Sequence, residues 1–318
     1  MKKLSLLFLI FTLSFSLISC EALDKKDQDP EDDEPTTTEE ELQEDVEDIE
    51  ASTTADELEQ ELQVEPIERE PGEVPFDYPM DLSTSAKAEE FVLTTSKGSL
   101  ADSFEDETGR TTMIFYHRTM IEPGQSESTI EEYSDEIKMP NSLIIPIPTG
   151  QTAEPGDIVL TWWQTGSGMT RAIIVEGGDT NQPLAKYLDL SFDYDPEKLK
   201  ENSFYVISEE MQPGTAVAYK DGEEYSHEFV INVAGDKVLT SGFASILNVR
   251  NKADLIAIPI KPDIAMGDKV FIPVLGTFKE GIVIEVNDNN GRVKIEYEWA
   301  GTTSEELFPF GDIIKELP

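Results

Sequence analysis

A mostly β body of small tandem units behind a long acidic leader is the fold class predicted by this 318-residue sequence. From Phe76 onward Val, Ile, Phe and Tyr run between closely spaced Gly and Pro, the pattern of short strands and turns. Three segments open alike: Glu154-Pro155-Gly156-Asp157-Ile158-Val159, Gln212-Pro213-Gly214-Thr215-Ala216-Val217 and Ala265-Met266-Gly267-Asp268-Lys269-Val270. Their spacing of roughly 50 to 60 residues is that of a tandem array. Before them, residues 21–75 carry about half of a formal net charge of −42.

The chain starts with Lys2 and Lys3, continues through an apolar stretch from Leu4 to Ile18, and reaches Leu17-Ile18-Ser19-Cys20. A basic start, a short apolar segment and a small residue before the cut form a secretory signal, too short for the ~20 apolar residues of a membrane span. The run ending at Cys20, the single cysteine of the chain, resembles a bacterial lipobox. That resemblance implies a signal peptide over residues 1–19, cleavage before Cys20, and lipidation of its thiol and new amino terminus. Two or more acyl chains hold a protein on a bilayer where one does not. Localisation is thus expected in the cell envelope, on the periplasmic or surface face of the outer membrane, with the bilayer as first partner. No thiol then remains for disulfides, catalysis or zinc.

Residues 20–75 read as the lipidated cysteine and a disordered acidic linker. Runs such as Glu31-Asp32-Asp33-Glu34 and Glu39-Glu40-Glu41 combine like charge with few apolar groups, too little burial to offset the entropy of ordering. The weak helical spacing of Leu42, Val46 and Ile49 is opposed by carboxylates three and four apart. As a flexible tether this segment reaches about 40 Å. The acidic balance argues against nucleic acid, whose phosphates are bound by displacing counterions with Lys and Arg.

The copies are expected at residues 149–208, 209–260 and 261–318. Second strands are Arg171-Ala172-Ile173-Ile174-Val175, Glu228-Phe229-Val230-Ile231-Asn232-Val233 and Gly281-Ile282-Val283-Ile284-Glu285-Val286. Closing strands fall at Ser203–Ile207 and Asp254–Ile258, and the chain ends on Gly311-Asp312-Ile313-Ile314. In the first copy Asp195 followed by Pro196 predicts a helix start near Tyr194–Leu199. Residues 76–148 form a β-rich subdomain: a diverged further copy, a separate β subdomain, or an extended arm. Phe91–Thr95 and Met113–His117 are expected to pair across the Glu107-Thr108-Gly109 turn, and Leu143–Ile147 echoes a closing strand.

A unit of about five short strands avoids open edges best by curling into a barrel. In the third copy, Gly267-Asp268-Lys269-Val270, the hairpin at Gly276-Thr277-Phe278, the turn Asn289-Asn290-Gly291 and the strand Arg292–Tyr297 resemble the Tudor and Agenet branch of SH3-like barrels. The resemblance covers about 50 residues there and weakens in the other copies. It implies an aromatic cage for cations, at about 0.5 to 2 kcal/mol per contact. Phe278, Tyr297 and Trp299 are the candidate walls, with Glu296 and Glu298 as charge partners. One expected aromatic is replaced by Val274 or Leu275. Tyr219, Tyr225 and Phe243 in the second copy and Trp162, Trp163 and Tyr187 in the first are further candidates, against the plainer reading of barrel-end aromatics as packing residues.

Sequence gives little support to an enzyme. His117 and His227 are the only histidines, each strand-like and without a second ligand at metal spacing. Phosphate loops, nucleophile elbows and dinucleotide fingerprints are absent. No cofactor or metal is expected, and Asn287-Asp288-Asn289-Asn290-Gly291 reads as a hairpin turn instead of a calcium loop. The expectation is a non-enzymatic binding or scaffolding lipoprotein whose partner is a basic protein or peptide or a cell-wall glycan. A peptidoglycan-binding role is the alternative, and a glycan hydrolase using paired carboxylates the remote one.

Overall fold

The computed structural model describes residues 69–166, 168–177, 180–190 and 195–318. The expected signal peptide, Cys20 and nearly all of the acidic linker lie outside the described residues.

The N-terminal segment contains β1 (Phe91–Thr94), helix α1 (Lys97–Glu105), β2 (Tyr116–Glu122), β3 (Glu127–Glu132), β4 (Asp135–Pro140) and β5 (Ile145–Pro146). The first copy contains β6 (Ile158–Trp162), β7 (Met169–Glu176), β8 (Leu184–Tyr187), β9 (Glu197–Lys198) and β10 (Tyr205–Val206). The second holds β11 (Ala216–Asp221), β12 (Glu224–Ala234), β13 (Lys237–Ser241), β14 (Leu247–Asn251) and β15 (Leu255–Ala257). The third holds β16 (Lys269–Val274), β17 (Thr277–Asn287), β18 (Arg292–Trp299) and β19 (Thr302–Pro309).

All four segments share one connectivity. The sheets run β5-β1-β2-β3-β4 and β10-β6-β7-β8-β9, and the nine-stranded sheet joins β15-β11-β12-β13-β14 to β16-β17-β18-β19. The join is the Ser226↔Thr277 pair, and an isolated Phe271↔Ile314 bridge supplies the third copy's fifth position. Every second strand slips by one residue against its third strand, at Met120/Glu122, Ile174/Glu176, Val230/Asn232 and Val283/Glu285. Such bulges bend and twist a strand, so each meander curves at the same place.

The opening turn repeats as well. The amides of Gly156, Gly214 and Gly267 donate to the carbonyls of Ile174, Val230 and Val283, and the amide of Glu89 donates to Met120 in the same way. These glycines have φ near +90°, where a side chain is costly, and Glu89 takes φ +69° at the equivalent position. Residues 76–148 therefore share the strand connectivity, the bulge and the opening turn of the other three segments, with Glu standing where the others have Gly.

Three expectations are corrected. No sheet closes into a barrel among the described residues: the edge strands β4 and β5, or their equivalents, do not pair. The fifth strands are two or three residues long, or a single bridge, and so offer few backbone groups with which to pair a further edge. The helix expected near Tyr194–Leu199 is replaced at Glu197–Lys198 by β9, because pairing with Leu184 and Ala185 overrides the local cap signal. Phe91–Thr94 pairs with Tyr116–Thr119, while α1, capped by Ser96 accepting from the Ser99 amide, occupies the connection.

Met113 and Phe115 are buried in an extended segment bonded to other copies: the Met113 amide donates to Ser245, and Phe115 accepts from the Met169 amide. One apolar core runs through all four copies, from Val74 to Ile313, and the described residues belong to a single compact unit. The fully buried Trp162 stacks on His117 with centroids 4.7 Å apart and meets Phe91 edge-on at 5.1 Å, tying the first copy to the N-terminal one. Among the described residues no helix is long and apolar enough to cross a membrane.

Candidate functional site

The third copy separates the proposed cage residues. Along β18 the side chains alternate, so Val293, Ile295 and Tyr297 are buried while Glu296 and Glu298 are exposed. Tyr297 pairs with Gly281 on β17 and packs edge-on against Phe308 at 5.9 Å. Burial and the neighbouring Glu306 carboxylate push its hydroxyl above the ordinary phenol range. Phe278 lies three residues from Gly281, an odd step that turns it to the opposite face. There it joins Ala216, Ala218, Ile258 and Ile314 and meets His227 at 5.6 Å. Phe278 and Tyr297, 7% and 6% exposed, are thus packing residues on opposite faces. Trp299 is 40% exposed, with the Lys279 ammonium 6.0 Å from its ring. Glu296, Tyr297, Glu298 and Lys279 line a shallow hollow of about 470 Å³ that excludes Phe278.

A second hollow lies where the first, second and third copies meet. It has a volume of about 400 Å³ and is built from β6 and β7, the residues after β8, β12, and the end of β19 with the chain that follows it. Arg171 projects from β7, where apolar neighbours would leave its charge unsatisfied. Its Nη2 donates to Asp312 Oδ1 at 2.7 Å and its Nη1 to the Phe310 carbonyl at 3.4 Å, while the guanidinium lies 4.7 Å from the Phe229 ring centre. His227 Nε2 lies 3.3 Å from the same Asp312 oxygen.

All three side chains are buried, so Arg171 and Asp312 form a desolvated ion pair with the His227 ring against its carboxylate. Burial alone would push the Asp312 carboxyl up; Arg171 and His227 outweigh it and hold it below the usual carboxylate range. Gly311 makes the approach possible, having φ +82° and lying where a Cβ would come within 2.5 Å of the guanidinium.

A second buried carboxylate, Glu228, braces the second copy. It accepts from Thr240 Oγ1 at 2.5 Å, Asn248 Nδ2 at 3.3 Å and both Arg250 Nε and Nη2, at 3.1 and 2.5 Å. The Arg250 guanidinium also lies 3.7 Å from the Tyr219 ring centre, giving that expected aromatic a structural cation as neighbour. Among the described residues no group of three or more His, Cys, Asp or Glu is placed to hold a metal ion.

Sequence reasoning did not find the Arg171, His227 and Asp312 cluster. The available signal was Arg171 itself, a lone cation opening the apolar strand Ala172-Ile173-Ile174-Val175, since a buried Arg needs a partner. No protein-family model matches the chain, and no curated protein matches its sequence.

Proposed function

We propose that this chain is a non-enzymatic envelope lipoprotein, held on the bilayer by an acylated Cys20 and an acidic tether, whose SH3-like copies form a binding or scaffolding module. The observation that carries the reading is the lipobox-like run ending at Cys20, the single cysteine of the chain. The SH3-like assignment draws support from the repeated connectivity: each five-position meander returns its last strand beside its first, leaving it one edge pairing short of a barrel. Four such units sharing one core expose several edges and hollows from one compact body, as a scaffold requires. The exposed carboxylates of Glu296 and Glu298 and the overall net charge of −42 favour a basic protein or peptide, or an amino-bearing cell-wall glycan, as partner.

The anchor is tested by Cys20→Ala in the native host. Radiolabelled palmitate is expected to enter the parent protein and not the variant, and the variant is expected to leave the membrane fraction; unchanged labelling and membrane retention would overturn the reading. Sedimentation with purified sacculi at low salt then tests the glycan partner, and absence of pelleting removes it.

A further inference from the structure

Two turns and an extended segment meet at one exposed apolar patch. Phe243 follows β13 and Leu275 lies between β16 and β17, and Gly276 is so near that a Cβ on it would come within 2.6 Å of the Phe243 Cβ. Ile114 joins them from the segment before β2: the Met113 amide donates to the Ser245 carbonyl, and Thr112 bridges Ile246. Phe243, Leu275 and Ile114 are 61%, 66% and 50% exposed. Single exposed apolar side chains are ordinary, whereas three large ones on adjoining segments mark a contact surface.

Folding does not account for them. Leu275 holds φ +49°, and Ala244 and Ser245 beside Phe243 hold +57° and +58°. Leu275-Gly276 is the two-residue turn closed by Val274 and Thr277, where Asn or Gly at the first position costs less. Leu275 thus strains the backbone and buries little in return, as residues held for a contact do. The turns are tied down: the Gly242 amide donates to the Ile246 carbonyl at 2.8 Å and the His227 amide to the Gly276 carbonyl at 2.9 Å.

Charge and size select the occupant. Residues 111–116, 242–246 and 273–278 contain no charged side chain, in a chain of which 28% of residues are charged. The Glu228 carboxylate near Gly242 is buried and paired with Arg250. A second copy would bring another chain at −42 against the first, and the patch falls far short of the roughly 20–30 residues a side of a standard protein interface. A zwitterionic bilayer asks for neither, since a few apolar side chains entering the boundary between headgroups and acyl chains already add affinity there.

We propose that Phe243, Leu275 and Ile114 form a bilayer-contact surface that enters the headgroup region of a zwitterionic membrane and fixes how the anchored body faces it. The proposal rests on the Cys20 anchor, whose tether holds the body within about 40 Å of the lipid.

The test couples the full mature chain through its single thiol, Cys20, to a maleimide lipid in phosphatidylcholine vesicles. Attachment then does not depend on acylation by a host, which the palmitate labelling decides separately. In Phe243→Trp the added indole emission, taken as the difference from the parent, is expected to shift to the blue and to be quenched by brominated acyl chains. Met266→Trp, in the exposed turn at the opposite end of β16 from Leu275, is expected to add an unquenched indole. Adding Leu275→Asn and Ile114→Asn to the Phe243→Trp chain is expected to lower the bilayer-contacting population about tenfold, the loss of about 1.4 kcal/mol. Leu275→Asn alone is expected to keep or raise the melting temperature, because Asn suits the left-handed turn. The proposal is overturned by an unquenched indole in Phe243→Trp, by equal quenching in Met266→Trp, or by undiminished quenching in the Asn-bearing chain when its melting curve shows it folded. A clear fall in melting temperature from Leu275→Asn would make the leucine a packing residue and overturn it too. So would a concentration-dependent sedimentation coefficient without vesicles that Leu275→Asn abolishes, since the occupant would then be a second copy.

Discussion

Replacing Asp312 by Asn removes the one carboxylate that both Arg171 and His227 face. The Arg171 guanidinium then keeps the Phe310 carbonyl at 3.4 Å, the Phe229 ring and a neutral amide oxygen in place of the carboxylate, and its charge stays buried without a counter-charge. Removing one partner of a buried ion pair costs about 3–5 kcal/mol; the surviving contacts place this case near the low end, about 3 kcal/mol. For a body of this size 1 kcal/mol shifts the melting temperature by about 2–4 °C, so the expected fall is roughly 6–12 °C.

The double change Arg171→Met with Asp312→Leu removes both charges together and is expected to recover most of that loss, since apolar replacements of buried pairs are often neutral. Acid acts through the same carboxylate. Its folded pKa is depressed below the ordinary value of 3.8, so the unfolded chain binds the proton more tightly. The stability it contributes is whole above about pH 4 and drains as the pH falls through the depressed value. Thermal melts followed by circular dichroism between pH 7 and pH 2 measure both effects. An Asp312→Asn protein melting within about 2 °C of the parent, or a double variant no better than the single one, would refute a desolvated cluster.

Glu228→Ala strands Arg250, Thr240 and Asn248 and is expected to lower stability by about 2–3 kcal/mol, less than a fully buried pair because the Arg250 side chain keeps 21% of its exposure; an unchanged urea midpoint would count against it. Glu89→Gly relieves a side chain held at φ +69° on an exposed turn and should raise stability by about 0.5–1 kcal/mol, with loss of stability as the contrary result. Tyr297→Ala opens a core gap costing about 3–5 kcal/mol, whereas Trp299→Ala at the surface should cost under ~0.5 kcal/mol. Equal melting temperatures for those two variants would contradict their different burial.

What the sequence discloses depends on how local the cause is. The openings at Gly156, Gly214 and Gly267 were legible because a turn at φ near +90° selects Gly within four residues. The same turn at Glu89 was illegible, since Glu gives no left-handed signal, and α1 lengthens the gap between the first two strands of that copy. The Asp195-Pro196 cap signal was real but weaker than the ladder recruiting Glu197–Lys198 into β9. Met113–His117 read as a strand because it is extended and apolar; which backbone it would bond to depended on copies more than 50 residues away. The separation of Phe278 from Tyr297 required the register of β17 against β18, which composition does not carry. Arg171 and Asp312 lie 141 residues apart, and His227 and Asp312 lie 85 apart, so their meeting is a property of how the copies dock.

That docking bears on how the body unfolds. In a linear array each repeat touches only its neighbours, and stability is a sum of local terms that fails piecewise. Here the first copy is bound to the end of the third through Arg171 and Asp312, and again where Arg292 Nη2 donates to the Tyr187 carbonyl at 3.0 Å. Asn232 in the second copy donates to the Ser142 carbonyl of the N-terminal copy, and the Tyr225 hydroxyl reaches the Pro318 carbonyl at the chain terminus. Losing any one copy therefore strips partners from at least one other, including buried charges that cannot be left unpaired at low cost. The expected result is one cooperative transition. Trp162 and Trp163 report on the first copy and Trp299 on the third, so single-tryptophan variants followed by fluorescence in urea should give midpoints coincident with each other and with circular dichroism. Separate midpoints for Trp162 and Trp299 would mean that the cross-copy charges do not couple the repeats, and the array would then be a chain of independent units.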